Sequence, residues 1–256
     1  MTPPREPLVR FAHVRKAFGA NHVFEDLSLT VERGEVITLL GGSGSGKSVL
    51  LKLLIGLLPA DGGRIELGGV DVAAFDEVRF LDVRRRVSML FQSSALFDSL
   101  SVGENVAYPL RLRGGFAESE VRDRVADRLT LVGLPGIERL RPSELSGGMR
   151  KRVGLARAIA ADPEMVLYDE PTTGLDPVNT RRIDELILSV RERLGVTSLV
   201  VTHDLASAFL VSDRIAFLSA GRILAVGPAR ELRATVEPTI RDFLHAMPGF
   251  EPEATA

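Results

Sequence analysis

Gly41 to Ser48 reads GGSGSGKS, a glycine-rich stretch that ends in a lysine and a hydroxyl. The spacing G-x-x-x-x-G-K-S suits a phosphate group, because glycines let backbone N–H groups approach it and the helix that follows contributes a partial positive charge. Lys47 would offset the phosphate charge, and the Ser48 hydroxyl is an oxygen ligand suited to magnesium. A merely flexible Gly/Ser turn would explain neither the lysine nor the flanking pattern. Farther along, MVLYDE (Met165 to Glu170) is an apolar run ending in two acids. Asp169 suits magnesium, and Glu170 suits the orientation of a water attacking a terminal phosphate, although alone such a pair could equally mark a surface edge. Between the two, LSGG (Leu145 to Gly148) opens a helical pattern and poses a question. It could be a second anion site or a plain helix cap with Ser146 as the capping residue.

These residues need elements to hold them. EVITLL (Glu35 to Leu40) runs into the glycine loop as a strand, and a helix is expected from about Lys47. MVLYD and TSLVVTH (Thr197 to His203) read as buried parallel strands whose polar ends lie where a site would be. Ile183, Leu186, Ile187, Val190 and Leu194 recur at helical spacing, with Arg182, Glu185, Arg191 and Glu192 elsewhere on the surface. LVRFAHV and DLSLTV near the start read as short strands of an antiparallel β-subdomain. The stretch 94–158 has helical patterns and no convincing strand, so it reads as a helical subdomain inserted into an α/β core. Because the chain has one phosphate loop, LSGG on that helical insert points to a phosphate held by another copy.

Composition narrows the classes. The chain has 256 residues, 45% hydrophobic and 26% charged, with material for a sizeable core. Its longest stretches without Asp, Glu, Lys or Arg, Val36 to Gly46 and Val87 to Phe97, fall short of the ~18 apolar residues of a membrane span. The start MTPPREPLVRF lacks the pattern of a secretory signal, and there is no cysteine, so a cytosolic setting is expected. A net charge of −2 offers no broad basic field, so no nucleic-acid partner is expected. The basic clusters Arg84 to Arg86 and Arg150 to Arg152 read as solvated helix faces.

Taken in order, the phosphate loop, LSGG, DE, TGLD (Thr173 to Asp176) and a later histidine resemble the ABC-type ATPases, from about Leu8 to Leu232. The resemblance implies a P-loop NTPase fold: a RecA-like α/β core, a small antiparallel β-subdomain and an inserted helical subdomain. The implied division is 1–93 with 159–232 for the ATP-binding core, 94–158 for the helical signature subdomain and 233–256 for a tail. It implies ATP and Mg2+ as ligands, with Gly41, Gly42, Ser43, Gly44, Ser45, Gly46, Lys47, Ser48 and Val49 on the nucleotide. Ser48, Gln92 and Asp169 fall to the metal, and Glu170, Gln92 and His203 to catalysis. In that family two subunits pair head to tail, so Ser146, Gly147 and Gly148 would close on the partner copy's ATP and Asp176 would lie at the dimer interface. Asp176 followed by Pro177 would also serve as an ordinary helix start. Phe18 falls where the family has a tyrosine stacking on adenine. Val49 stands where threonine is usual and Met149 where glutamine is usual, and neither change removes a phosphate or metal ligand.

The chain carries neither a second ATPase half nor a long coiled-coil insertion, so it resembles a transporter subunit. Leu96, Phe97 and Leu100 lie where the permease docks in the family. Together with SELSGGM and PTIRDFLHAMPG, they are similar to the ATPases of maintenance-of-lipid-asymmetry (Mla) and related Mce phospholipid transporters. The resemblance implies a second copy, a membrane permease and a lipid-binding Mce-type component as partners, at the cytoplasmic face of the cell membrane. The alternative is the ATPase of a polar-solute importer.

Overall fold

The structure is a computed structural model and describes residues 6–235 and 237–245. Along the chain run β1 (Pro7–Phe18), β2 (Asn21–Glu32), β3 (Val36–Leu40), α1 (Lys47–Leu54), β4 (Gly62–Leu67), β5 (Val70–Asp71), α2 (Glu77–Arg86) and β6 (Val87–Leu90). Then follow α3 (Val102–Arg113), α4 (Glu118–Leu131), α5 (Gly147–Ala158), β7 (Met165–Asp169), α6 (Pro177–Leu194) and β8 (Thr197–Thr202). The last are α7 (Leu205–Val211), β9 (Arg214–Ser219), β10 (Arg222–Gly227), α8 (Ala229–Arg233) and α9 (Pro238–His245). The chain forms two compact units, Met1–Val83 with Leu199–Ala256, and Arg84–Ser198.

In the first unit, four antiparallel strands run in the order β2-β1-β4-β5. Phe11, opposite Leu29 on one side and Ile65 on the other, helps form its buried face. The first two strands are 12 residues each, not the short strands expected. Bulges let β1 continue through the polar stretch HVRK: the register shifts there, and His13 takes φ 53°. A bulge breaks strict alternation, which is the signal that sequence reading relies on. In the same unit β3 pairs in parallel with β9, which pairs antiparallel with β10. Every residue of β3 is buried, as a strand covered on both faces requires. Glu35, just before it, is also buried, and Arg214 Nη1 donates to its two carboxylate oxygens at 3.2 and 3.3 Å. Burial still pushes the Glu35 carboxyl above the usual carboxylate range, against the lowering effect of the Glu32 N–H and Arg214 bonds.

The segment read as a tail contributes to this unit's core. Ile240 and Leu244 of α9 join Leu40, Leu205, Phe217 and Leu232 in one apolar cluster, and the Phe243 ring meets Phe217 edge-on at 5.1 Å. Residues 246–256, including the AMPG of PTIRDFLHAMPG, lie outside the described residues.

In the second unit β6 and β7 run parallel, from Val87 opposite Met165 to Leu90 opposite Tyr168. Between 94 and 158 stand α3, α4, a 3-10 turn at Pro142–Glu144 and α5. Of α6, Ile183, Leu186, Ile187 and Val190 are buried and Leu194 is half-buried. One expectation fails here: Arg150 to Arg152 is not a solvated cluster. Only Arg150 is exposed, whereas Lys151 and Arg152 are buried. Arg152 Nη1 donates to the carbonyls of Val132 (3.2 Å) and Gly133 (3.1 Å) at the end of α4, and Arg128 Nε of α4 donates to Ile159 at the end of α5 (3.2 Å). Each helix therefore supplies the donor that the other's terminal carbonyls lack. Among the described residues, no helix is long and apolar enough to cross a membrane.

Candidate functional site

Gly41 to Gly46 connect β3 to α1, with Ser43 and Gly44 exposed and Gly41 and Lys47 buried. Gly46 caps the helix at φ 99°, and a Cβ there would come within 2.6 Å of Val23 and 2.9 Å of Phe24. Only glycine meets both demands. Lys47 Nζ folds back over the loop and donates to the carbonyls of Gly41 (2.9 Å) and Gly42 (3.0 Å). The Ser45 hydroxyl is buried and finds no hydrogen-bond partner among the described residues. A buried ammonium on a loop with an orphaned hydroxyl, ahead of a helix N-terminus, fits a polyphosphate. Ser48 and Val49 are half-buried on the first turn of α1.

In the same unit, Phe18 ends β1 and is 47% exposed, with Lys16 Nζ 5.2 Å from its ring centroid. Asp61 fixes this strand end, accepting from Lys16 Nζ (2.9 Å) and the Ala17 N–H (2.7 Å), and its carboxyl lies below the usual range because of those bonds. Sequence reading missed Asp61, which becomes visible only once β1 has a neighbour. His203 is exposed just past β8, next to Asp204, which caps α7 by accepting from the Ser207 N–H at 3.2 Å.

The second unit holds the acid pair. Asp169 ends β7 and is buried. Glu170 follows at φ 48°, a conformation rare for a residue with a side chain, and its Oε2 accepts from Thr173 Oγ1 at 3.2 Å. Lys151 of α5 reaches this corner, donating from Nζ to the carbonyls of Gln92 (2.5 Å) and Glu170 (3.3 Å). Burial lowers its pKa, opposed by the carboxylates of Asp169 and Glu170. Gln92 is exposed in the loop after β6, and Arg157 steadies that loop through the carbonyls of Ser94 (2.8 Å) and Ala95 (2.7 Å). Gln92 and Glu170 are thus joined through one lysine that sequence reading had placed among solvated charges.

Ser146 caps α5, its hydroxyl accepting from the Met149 N–H at 3.3 Å. That bond satisfies one first-turn donor and leaves the N–H groups of Gly147 and Gly148 with no partner inside the helix. The two glycines differ. Gly147 is exposed with open space around it, whereas Gly148 is buried, and a Cβ there would come within 2.7 Å of Asn179 Oδ1. Asn179 in turn donates to Asp176 at 2.5 Å, and Asp176 caps α6 by accepting from the N–H groups of Val178 and Asn179, both at 3.0 Å. The bonds from Asn179 hold the Asp176 carboxyl below its ordinary range. Asp176 is therefore a helix cap with Pro177 at the first helical position.

An apolar face adjoins the Gln92 loop. Leu96 and Leu100 are half-buried, and Phe97 is 41% exposed with its ring 4.9 Å from that of Tyr108. Tyr108 (44% exposed) and Leu112 (72%) extend the face along α3. Sequence reading missed both, although their i, i+4 spacing was available. Asn105 is wholly buried and sets the loop, accepting from the Phe97 N–H (2.9 Å) and donating to the carbonyls of Phe97 (3.1 Å), Leu100 (3.3 Å) and Ser101 (3.0 Å).

The ABC transporter family model matches residues 24–173, more than half of the chain; Phe18 and His203 lie outside that match. The chain is 44% identical over 230 residues to the probable ribonucleotide transport ATP-binding protein mkl of Mycobacterium tuberculosis, covering 90% of this chain but only 64% of that protein. It is 41% identical over 237 residues to the intermembrane phospholipid transport system ATP-binding protein MlaF of Escherichia coli K12, covering 93% of this chain and 88% of that protein. The dimeric ATP-binding cassette MJ0796, in a post-hydrolysis state with ADP and Pi, has the same fold, with a TM-score of 0.79 at 30% identity over 86% of this chain and 98% of that one.

Proposed function

Since this chain belongs to the ABC transporter family, we propose that it is the ATP-hydrolysing subunit of a transporter, and that its cargo is phospholipid. The observation that carries the ATPase reading is the lysine-clasped glycine loop with its orphaned buried Ser45 hydroxyl, a site built for a polyphosphate. Lys47 offsets phosphate charge, the exposed face of Phe18 receives the adenine, and Glu170 orients the water that attacks the terminal phosphate. His203 and the Gln92 side chain complete the catalytic set. Ser48, Gln92 and Asp169 offer oxygen donors, a set that suits Mg2+ completed by phosphates and water. When bound, the ion neutralises charge that develops on the phosphates. No group of three or more His, Cys, Asp or Glu that could hold a metal occurs among the described residues.

The likeness to MlaF, which extends over 88% of that protein, supports phospholipid as the cargo. The ribonucleotide named for the mycobacterial relative favours a second reading, a polar-solute transporter. In the proposed assembly two copies pair head to tail, with Ser146, Gly147 and Gly148 of one meeting the ATP of the other and Asp176 near the seam. The dimeric neighbour supports the association of two copies. The proposed division is an ATP-binding core over 1–93 and 159–232, a signature subdomain over 94–158 and a C-terminal segment over 233–256 whose α9 packs into the core. A membrane permease, with an Mce-type lipid-binding component beyond it, holds the pair at the cytoplasmic face of the cell membrane.

The Phe97, Tyr108 and Leu112 face is the proposed seat of the permease, since an exposed aromatic patch on an anchored loop marks an interaction site. Burying a ring of this size contributes about 1.5–3 kcal/mol, so Phe97→Asp should weaken docking roughly tenfold or more. The isolated variant should keep its basal ATPase activity but fail to co-purify with the permease. The assembled wild-type complex should carry phospholipid and respond in ATPase rate to added lipid. Stimulation by a polar solute and its binding protein instead would move the assignment to the second reading.

A further inference from the structure

We propose that Lys151 is a positioning residue for ATP hydrolysis, locking the backbone at Gln92 to the backbone at Glu170 so that both side chains are presented in fixed register. This rests on the ATPase reading above. Lys151 Nζ bonds the Gln92 carbonyl at 2.5 Å and the Glu170 carbonyl at 3.3 Å, joining a loop after β6 to the end of β7. The lysine is only 6% exposed, so no water takes over those carbonyls at little cost. The approach of α5 is also built in, because a Cβ at Gly154 would come within 2.9 Å of Leu90 and 3.2 Å of Ser94, on either side of Gln92. Glu170, for its part, is held at φ 48°, a conformation the surrounding structure has to impose. Lys151 lies about one and a half turns past Ser146, so the helix that carries the signature turn also carries the clasp on Gln92 and Glu170. A shift of α5 at its N-terminus is thereby passed to both groups.

A lysine that only fills out the core would act on stability alone, whereas a positioning residue acts on turnover at constant affinity. In Lys151→Met, measured on the full chain, kcat should fall by about tenfold to 10²-fold while the KM for ATP and the direct affinity for a fluorescent nucleotide stay within about twofold. The melting temperature should fall by several degrees, because two buried carbonyls lose their donor, and the rates are compared well below it, where the variant is folded. Lys151→Arg, which keeps a cationic donor, should recover most of the rate. In a Gln92→Ala background Lys151→Met should cause much less further loss, as expected for groups acting as one unit. A folded Lys151→Met with wild-type kcat overturns the proposal, and so does a loss of rate matched by an equal loss of ATP affinity. Should Met prevent folding, Lys151→Gln takes its place, and wild-type turnover there has the same meaning. A wild-type chain without ATPase activity overturns the ATPase reading and this proposal with it; an active wild type matched by the variants overturns this proposal alone.

Discussion

Glu170→Gln binds ATP as tightly as the wild type and hydrolyses it ~10²–10⁴-fold more slowly, a barrier increase of about 3–5 kcal/mol. The amide keeps the size and the hydrogen bond from Thr173, so the φ 48° corner and the bonds of its backbone are preserved. What it loses is the ability to take a proton from water. Lys47→Ala gives the opposite pattern, because the ammonium clasping Gly41 and Gly42 is part of the phosphate cradle and its removal lowers nucleotide affinity. Equilibrium binding of a fluorescent ATP analogue and single-turnover hydrolysis separate the two. Wild-type turnover in Glu170→Gln would remove the carboxylate from the role of base.

In the Glu170→Gln background, ATP with magnesium should trap the chain as a dimer on a sizing column, and a change at Ser146 should return it to monomer at the same ATP occupancy. Ser146→Arg places a bulky group on an exposed helix start. It also removes the cap to Met149, which by itself costs about 0.5–2 kcal/mol of local stability. Ser146→Asp separates the two effects. Aspartate caps as well as serine does, yet it sets a carboxylate against the phosphate of the other copy. Monomer in both variants identifies a turn that meets a nucleotide, and dimer retained in Ser146→Asp leaves Ser146 as a cap alone.

Chemistry tied to local chain geometry was legible in the sequence. The glycine loop between β3 and α1, and the acids ending β7, depend on neighbours within a few residues, so spacing alone locates them. Features that depend on a distant element were not legible. The charged letters of Lys151 and Arg152 suggest a solvated face, but the first serves carbonyls at Gln92 and Glu170 and the second those at Val132 and Gly133. Gly148 reads as half of an anion turn, although its lack of a side chain also serves the close approach of Asn179. The β9–β10 hairpin and the length of β1 were missed for a related reason. A bulge or an edge strand is stabilised by its pairing rather than by its own pattern.

The reciprocal arginines of α4 and α5 bear on how this segment can be exchanged between relatives. Arg152 closes α4 and Arg128 closes α5, and Asp162 pairs with both Arg124 and Arg128. A chimera with its junction between the two helices would inherit one donor and lose the other, leaving a row of terminal carbonyls facing a side chain selected for a different neighbour. Junctions placed before Glu118 and after Asp162 transfer both donors with their acceptors. The smallest heritable piece of this region is therefore the helix pair with the loop that follows it, and substitutions at Arg128 and Arg152 should drift together.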